Sequence, residues 1–352
     1  MLLRRAAISL ACLGALAAAV VPARAQTAPR PHVVATTPIL GSIVRDMVGD
    51  DARVSVVMPN GVDPHEFQPS ARDVAGLATA DLVVANGLGL EEGLDDPLRQ
   101  AREGGTPVVD ATDLVPLRRF DPSAREEIAE HGPEDPHIWT DPLTMRRLVA
   151  GLVPVLREET GIDATARAAV LEDRLTALDA RIRSTLADVP PARRTLVTGH
   201  ESMAYFAARY GFRVAGALIP SLSSQAEASA RNLADLRRQV QDAGVPAIFG
   251  DTGTPAGLAD AIADETGARL VEISTHALPP DGSYITMMRD IAAAVDGGLA
   301  GPAPRAEGGA GLGPLIDPFA DNDFMLRALI AGCLVALACA VVGTFVVLRG
   351  LA

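Results

Sequence analysis

Short apolar runs rich in β-branched residues alternate with longer segments of helical periodicity from residue 31 to about residue 295. Strands that alternate with helices are typical of parallel sheets covered by helices on both faces. The pattern therefore predicts an α/β fold built from two groups of parallel strands. The strands are predicted at residues 32–36, 53–58, 82–86, 107–110, 195–198, 213–215, 246–250 and 269–273.

One long helix, at about residues 163–186, is predicted between the two groups of strands. Five apolar residues recur there at spacings of four, three, four and four, which places them on one side of a helix. The prediction is a first lobe (31–160), a rigid linker helix (161–190) and a second lobe (191–297), with a cleft between the lobes. The apolar stripe consists of Leu171, Leu175, Leu178, Ile182 and Leu186.

The first 25 residues have the pattern of a secretory signal peptide. Two arginines precede an apolar segment at residues 6–21, and Ala23-Arg24-Ala25 is an A-x-A cleavage site. Lipidation at Cys12 is the competing interpretation, although the apolar region before this cysteine is short. Either way the sequence predicts that the body lies outside the cytoplasm, in the periplasm or an equivalent compartment.

The C-terminal end has a different composition from the body. Eight of the eighteen residues at 299–316 are Gly or Pro, which predicts a flexible linker at 298–324. Residues 328–348 are twenty-one residues without a charge, enough to span a bilayer. A transmembrane helix is therefore predicted at 325–349, and a buried core helix is the alternative.

Charge and cysteine content narrow the classes of function. The net charge of −13 becomes −16 when the three arginines of the signal peptide are removed with no acidic residue. So acidic a chain disfavours nucleic-acid binding and suits the attraction of cations. The cysteines are Cys12, Cys333 and Cys339, so the body between the two ends has none. A metal site in the body would have to use His, Asp or Glu.

Four of the six histidines follow a predicted strand or lie in a loop fixed by proline. They are His65, His137, His200 and His276, two from each lobe. Neutral imidazole is the commonest protein metal ligand, and four ligands complete a tetrahedral zinc site. The separations match no short zinc-binding motif, so ordinary loop, packing and helix-start roles stay open on spacing alone. His32 and His131 are interpreted as a strand residue and a solvated loop residue.

Five motifs carry a resemblance to a known family. The body resembles the metal-binding substrate-binding proteins of zinc and manganese ABC transporters, the cluster A-I or zinc-uptake family. The likeness covers about residues 33–295 and implies a two-lobed metal-binding protein that is not an enzyme. The motifs are Thr36-Thr37-Pro38-Ile39-Leu40, Gly61-Val62-Asp63-Pro64-His65-Glu66-Phe67, Asp135-Pro136-His137-Ile138-Trp139-Thr140-Asp141-Pro142, Thr198-Gly199-His200-Glu201 with Tyr205-Phe206, and Gly282-Ser283-Tyr284 with Met287-Met288-Arg289.

The resemblance implies that His65, His137 and His200 are the first three metal ligands. Manganese members usually carry a carboxylate at the position of His200, so histidine there favours Zn²⁺ over Mn²⁺ as the transported ion. The fourth family ligand is typically an aspartate after the last strand, where this chain has His276. The fourth ligand is therefore His276, Asp281 or water. Proton competition predicts weaker binding as the pH falls through about 6.

The C-terminal residues 324–352 are similar to the first membrane helix of the partner permease. This implies a binding protein fused to the start of its permease, either as a truncated fusion or as a natural membrane anchor. The expected partners are an ABC permease and its ATPase, and the pair of lobes is expected to be monomeric. Two other hypotheses are a membrane-anchored adhesin or zinc sensor, and a zinc hydrolase with Glu66 or Glu201 as general base.

Overall fold

The computed structural model describes residues 29–119, 133–218, 230–251 and 256–300. The predicted signal peptide, His131, the linker beyond residue 300 and the predicted span at 325–349 lie outside these residues. Within the described ranges, no helix is both long enough and apolar enough to cross a membrane.

Eight described strands form two parallel sheets of four. The first sheet has the order β2-β1-β3-β4 and the second the equivalent order β6-β5-β7-β8. The prediction of two parallel sheets is confirmed, and the two halves repeat one topology. The strands are β1 (His32–Ala35), β2 (Arg53–Val56), β3 (Leu82–Ala85), β4 (Val108–Asp110), β5 (Thr195–Thr198), β6 (Arg213–Ala217), β7 (Ala247–Gly250) and β8 (Arg269–Glu272).

The helices begin at residues with clear local causes. Thr37 caps the helix that starts with Pro38, and Ser70 and Asp73 form a reciprocal capping box. The described α-helices are α1 (Pro38–Val48), α2 (Ala71–Ala78), α3 (Asp95–Glu103), α4 (Pro142–Thr160), α5 (Thr165–Thr185), α6 (Ala204–Tyr210), α7 (Ala230–Ala243), α8 (Ala256–Thr266) and α9 (Tyr284–Ala300).

The predicted linker helix is α5, and it contacts both halves. It packs against α1 of the first half and against α4 and α9. Asp163 accepts hydrogen bonds from the backbone N–H of Thr165 (3.1 Å) and from its hydroxyl (2.6 Å). The cap therefore lies two residues before the first helical residue, rather than at the position directly before it.

One hydrophobic core runs through both halves. The strand residues that face inward in either sheet, such as Val33 and Phe249, belong to the same buried cluster as Leu175 of α5. Separate clusters lie on the outer faces of the sheets, under α2 and α3 in the first half and under α7 and α8 in the second. Because the inner core is shared, a wide separation of the halves would expose apolar surface at a substantial cost in free energy.

Candidate metal centre

The structure brings the four histidines singled out from the sequence to the facing edges of the two sheets. His65 lies in the loop after β2, and His137 lies in the connection from β4 to α4. His200 lies two residues after the end of β5, and His276 lies four residues after the end of β8. The carboxyl ends of parallel strands are where α/β folds usually bind ligands. The relative exposures are 1%, 0%, 2% and 2%, so all four side chains are buried.

The four imidazole rings form one cluster. His137 lies 5.7 Å from His65, 5.5 Å from His200 and 6.3 Å from His276, measured between ring centroids. His200 lies 6.2 Å from His65 and 4.9 Å from His276, and it stacks on the latter. One ligand atom from each of His65, His137 and His200 lies within 4.8 Å of the other two. The cluster thus joins side chains separated by up to 211 residues in sequence.

The same type of turn positions the two histidines of the first half. Each follows an Asp-Pro pair, and the aspartate accepts a hydrogen bond from the histidine backbone N–H. These bonds are 3.0 Å for Asp63 to His65 and 2.9 Å for Asp135 to His137. Such turns form readily because an aspartate bonds to the backbone two residues on, while proline fixes the intervening φ angle. Repetition of this turn explains why both Asp-Pro-His motifs stand out in the sequence.

Asp135 also orients the ring of His137. Its Oδ1 lies 2.8 Å from Nδ1 of the imidazole. With a neutral imidazole, Nδ1 carries the proton and Nε2 carries the lone pair that a metal requires. Burial raises the pKa of Asp135 to about 7, against the opposing effect of the hydrogen bond from the His137 backbone. The carboxylate is thus costly to keep charged here, and a bound cation would offset that cost.

The loop that carries His137 is held by a buried network at the edge of the first sheet. The side-chain amide of Asn86 donates to the carbonyl of Pro136 at 3.0 Å. Glu91 accepts hydrogen bonds from the Asn86 backbone N–H (2.8 Å) and from the Thr36 hydroxyl (2.6 Å). These bonds tie the loop to the ends of β1 and β3, so the position of His137 is fixed by the sheet itself.

Hydrogen bonds between the halves close the cleft around the histidines. The side-chain amide of Asn60 donates to the carbonyl of Leu278 and accepts from its N–H, both at 2.8 Å. The indole of Trp139 donates to the carbonyl of Thr275 at 2.8 Å, and its ring lies against both His137 and His276. Asn60 therefore connects the loop before His65 with the loop after His276.

The electrostatics of the cluster keep the imidazoles of His65 and His200 neutral. Burial, reinforced by neighbouring histidines, lowers the pKa of His65 and of His200 well below the ordinary value of 6.5. Among the described residues, Nε2 of His200 and both ring nitrogens of His276 are buried without a hydrogen-bond partner. A buried unsatisfied polar atom costs about 1–3 kcal/mol. Neutral, inward-facing imidazoles are suited chemically to coordinating a divalent cation.

Several residues considered from the sequence lie away from the cluster. Asp281 is exposed and accepts hydrogen bonds from the Ser283 backbone (3.1 Å) and the Thr286 hydroxyl (2.6 Å) at the start of α9. Glu66 is also exposed. His32 lies at the start of β1, where its Nε2 is 2.8 Å from the Ser55 hydroxyl. Asp281 thus serves the helix start in this structure, not the cluster.

Sequence reasoning missed one acidic residue of the site, Asp251. It is buried directly after β7, and one of its oxygens lies within 4.8 Å of ligand atoms of both His200 and His276. The pattern that could have revealed it is a lone carboxylate after the buried run of 247–250, at the same sheet edge as the histidines. Attention to histidines alone left this residue out.

Most of the chain matches a single family model, and a second model matches its C-terminal end. A family model described as "Zinc-uptake complex component A periplasmic" matches residues 33–297, and a model of the "ABC 3 transport family" matches residues 321–352. The chain is 31% identical over 244 residues to zinc-binding protein TroA of Treponema pallidum, covering 68% of this chain and 76% of that protein. It is 27% identical over 266 residues to the manganese-binding lipoprotein MntA of Halalkalibacterium halodurans, covering 73% and 84%.

The fold is similar to that of solved relatives as well. The structure of the periplasmic zinc-binding protein TroA from Treponema pallidum superposes with a TM-score of 0.68 and 28% identity. The match covers 77% of this chain and 99% of that one.

Proposed function

Because the chain belongs to the zinc-uptake complex component A family, whose members are metal-binding substrate-binding proteins of ABC importers, we propose that it captures Zn²⁺ outside the cytoplasm and delivers it to a permease. The family resemblance inferred from the motifs is thus confirmed. The proposed ligands are His65, His137, His200 and His276, with the ion as cargo rather than as a resident cofactor.

One observation carries the proposal: four buried imidazoles from opposite halves lie in one cluster, and nitrogens of His200 and His276 lack a partner among the described residues. An all-imidazole tetrahedral set suits Zn²⁺, whereas Mn²⁺ prefers more oxygen ligands and a higher coordination number. Relatives named for zinc and for manganese both exist. Zinc is favoured for this chain because positions 200 and 276 are histidines rather than carboxylate residues.

Capture and release require the cleft to change, because the four side chains are at most 2% exposed. We assign residues 31–160 and 191–297 to the two lobes and 161–190 to the linker. The shared core around α5 opposes a wide hinge motion. Opening would therefore be a small tilt or a movement of the loops that carry His65 and His276, with the bonds of Asn60 broken.

The partner we propose is an ABC permease with its ATPase. The match of residues 321–352 to a permease family supports this choice. A membrane helix at 325–349 would then anchor the binding protein beside its permease. Alkaline extraction of membranes tests the anchor: the full-length chain should stay in the pellet, and release into the supernatant would contradict anchoring.

Two other functions compete with metal delivery. An anchored adhesin or zinc sensor would bind zinc without engaging a permease, and recovery of the cognate permease with the full-length chain separates these cases. A zinc hydrolase needs an open coordination position and a general base near the ion. Glu66 is exposed and four imidazoles would close the coordination sphere, which disfavours hydrolysis.

The proposal is tested by metal analysis of the full-length chain purified in detergent. We expect about one zinc per chain after dialysis, and its loss in His65→Ala and in His276→Ala. His32→Ala is the matched control, because His32 lies outside the cluster. Undiminished zinc in both cluster variants would overturn the assignment of the cleft, and zinc retained only in His276→Ala would remove that residue from the ligand set.

A further inference from the structure

The cluster contains two overlapping sets of three ligands. The first comprises His65, His137 and His200, and the second comprises His200, Asp251 and His276. In each set one atom per residue lies within 4.8 Å of the others, and every member is buried. The sets share His200. All members of the second set belong to the C-terminal half of the body, at the ends of β5, β7 and β8.

The carboxylate of Asp251 is held beside His276 without bonding to its ring. One oxygen accepts the Thr275 backbone N–H at 3.0 Å, and the other accepts the Thr275 hydroxyl. Oδ2 of Asp251 lies 4.0 Å from Nδ1 of His276, beyond hydrogen-bond distance. Two ligand atoms of a tetrahedral zinc ion, at bond lengths of about 2.0–2.1 Å, are separated by about 3.3 Å. A shift of less than about 1 Å would bring this pair to that separation.

The histidines of the second set have unsatisfied nitrogens. Nε2 of His200 and both ring nitrogens of His276 are buried and have no hydrogen-bond partner among the described residues. A carboxylate has about four lone-pair positions, so Asp251 can keep its bonds to Thr275 and still bind a cation. The set therefore combines two imidazole nitrogen donors with one carboxylate oxygen donor, a combination that binds zinc in proteins with three ligands and water.

We propose that His200, Asp251 and His276 form a transfer site that holds Zn²⁺ on the C-terminal half when His65 and His137 withdraw. This inference rests on the proposed function, and it adds a ligand and a step to it. In the closed state four imidazoles hold the ion. As the cleft opens, the carboxylate of Asp251 takes the place of one of the two lost imidazoles, and the other coordination position stays open for the next acceptor.

The test uses the full-length chain in detergent with Zn²⁺ and Co²⁺ as probes. The double variant His65→Ala/His137→Ala should still bind one Co²⁺ or Zn²⁺, more weakly than the wild type. Adding Asp251→Asn should weaken this residual binding by more than about 100-fold, beyond the 10–100-fold loss typical of an outer partner of a ligand. Adding Asp260→Asn, an exposed aspartate of α8, should change nothing.

A second variant separates ligation from support of the loop. Thr275→Val, added to the double variant, removes the hydroxyl contact but leaves the carboxylate in place. It should lower the affinity by at most the roughly 10–100-fold typical of an outer partner, and by less than Asp251→Asn, since only an outer contact is lost. An equal loss in the Thr275→Val and Asp251→Asn backgrounds would overturn the proposal, since Asp251 would then only support the loop.

Two further outcomes distinguish this inference from the proposed function. A double variant that melts cooperatively and binds neither ion, while the wild type binds zinc, would refute the transfer site alone. A wild-type chain that binds no zinc would refute the proposed function itself. Cobalt absorption of the double variant should report a four-coordinate ion, and a six-coordinate spectrum would contradict the ligand set.

Discussion

The bond pair made by Asn60 offers a direct test of how the halves and the metal are coupled. Its side chain makes two hydrogen bonds of 2.8 Å to the backbone of Leu278, 218 residues away. The variant Asn60→Ala removes both bonds without changing a ligand. The bonds connect the loop before His65 with the loop after His276, so we expect them to form only when the cleft is closed.

The expected change in the zinc Kd follows from the net free energy that such hydrogen bonds contribute. Each is worth about 1 kcal/mol, so losing both costs the closed state about 2 kcal/mol. If the open state lacks the bonds, the whole cost falls on metal binding, and the Kd for Zn²⁺ should rise about 30-fold. Asn60→Asp keeps an acceptor for the Leu278 N–H and loses the donor, so it should raise the Kd by about 5-fold.

The assay is a zinc titration of the full-length chain against a competing chelator, with thermal unfolding measured with and without zinc. Thr176→Ala, which removes an exposed hydroxyl on α5, is the control and should leave the Kd unchanged. A Kd within about 2-fold of wild type for Asn60→Ala would refute the reasoning, because the bonds would then be equally present in the open and closed states.

Three further predictions concern the loop, the linker and pH. A Cβ at Gly93 would lie 2.1 Å from the backbone carbonyl oxygen of Phe67, two residues after His65, so Gly93→Ala should weaken zinc binding. Gly76→Ala, with open space around the added methyl group, should leave zinc binding unchanged. Equal Kd values for the two variants would contradict this prediction. Leu175→Ala in α5 should lower the free energy of unfolding by about 2–5 kcal/mol in a urea melt, and Val170→Ala, 61% exposed on the same helix, by less than about 0.5; similar losses would refute the shared core. Because burial lowers the pKa of His200 well below 6.5, the zinc Kd should stay nearly constant from pH 8 to 6.5 and rise only at lower pH. A Kd that begins to rise above pH 6.5 would contradict this prediction.

The direction in which pH changes the stability of the metal-free protein follows from the same lowered pKa values. Below pH 6.5 the unfolded chain binds protons that the buried imidazoles of His65 and His200 exclude in the folded state, so unfolding is favoured. The stability of the metal-free chain should therefore fall as the pH drops below 6.5, and this loss continues down to the lowered pKa of the folded state.

Local patterns were sufficient for the fold and for the placement of the histidines. The alternation of strands and helices determines two parallel sheets, and the Asp-Pro-His motifs place His65 and His137 in fixed turns. The sheet topology then brings the ends of β5 and β8 to the same cleft. Whether the four side chains are ligands stays a prediction that metal analysis must test.

Other features depend on contacts that no local pattern contains. The turn at Asn60 is evident from its sequence, but its pairing with Leu278 exists only once both sheets face each other. The stripe on α5 predicts a buried helix, yet not that one core would include strands of both halves. Asp251 is a single carboxylate after a strand, and only its distance to His276 and His200 gives it significance.

The central claim is that four histidines from opposite halves hold one zinc ion. Zinc K-edge X-ray absorption on the zinc-loaded full-length chain tests it most directly. The account predicts four nitrogen or oxygen neighbours at about 2.0–2.1 Å, with outer-shell scattering from three to four imidazole rings and no sulfur. A spectrum with two or fewer imidazoles, or with six oxygen neighbours, would contradict it.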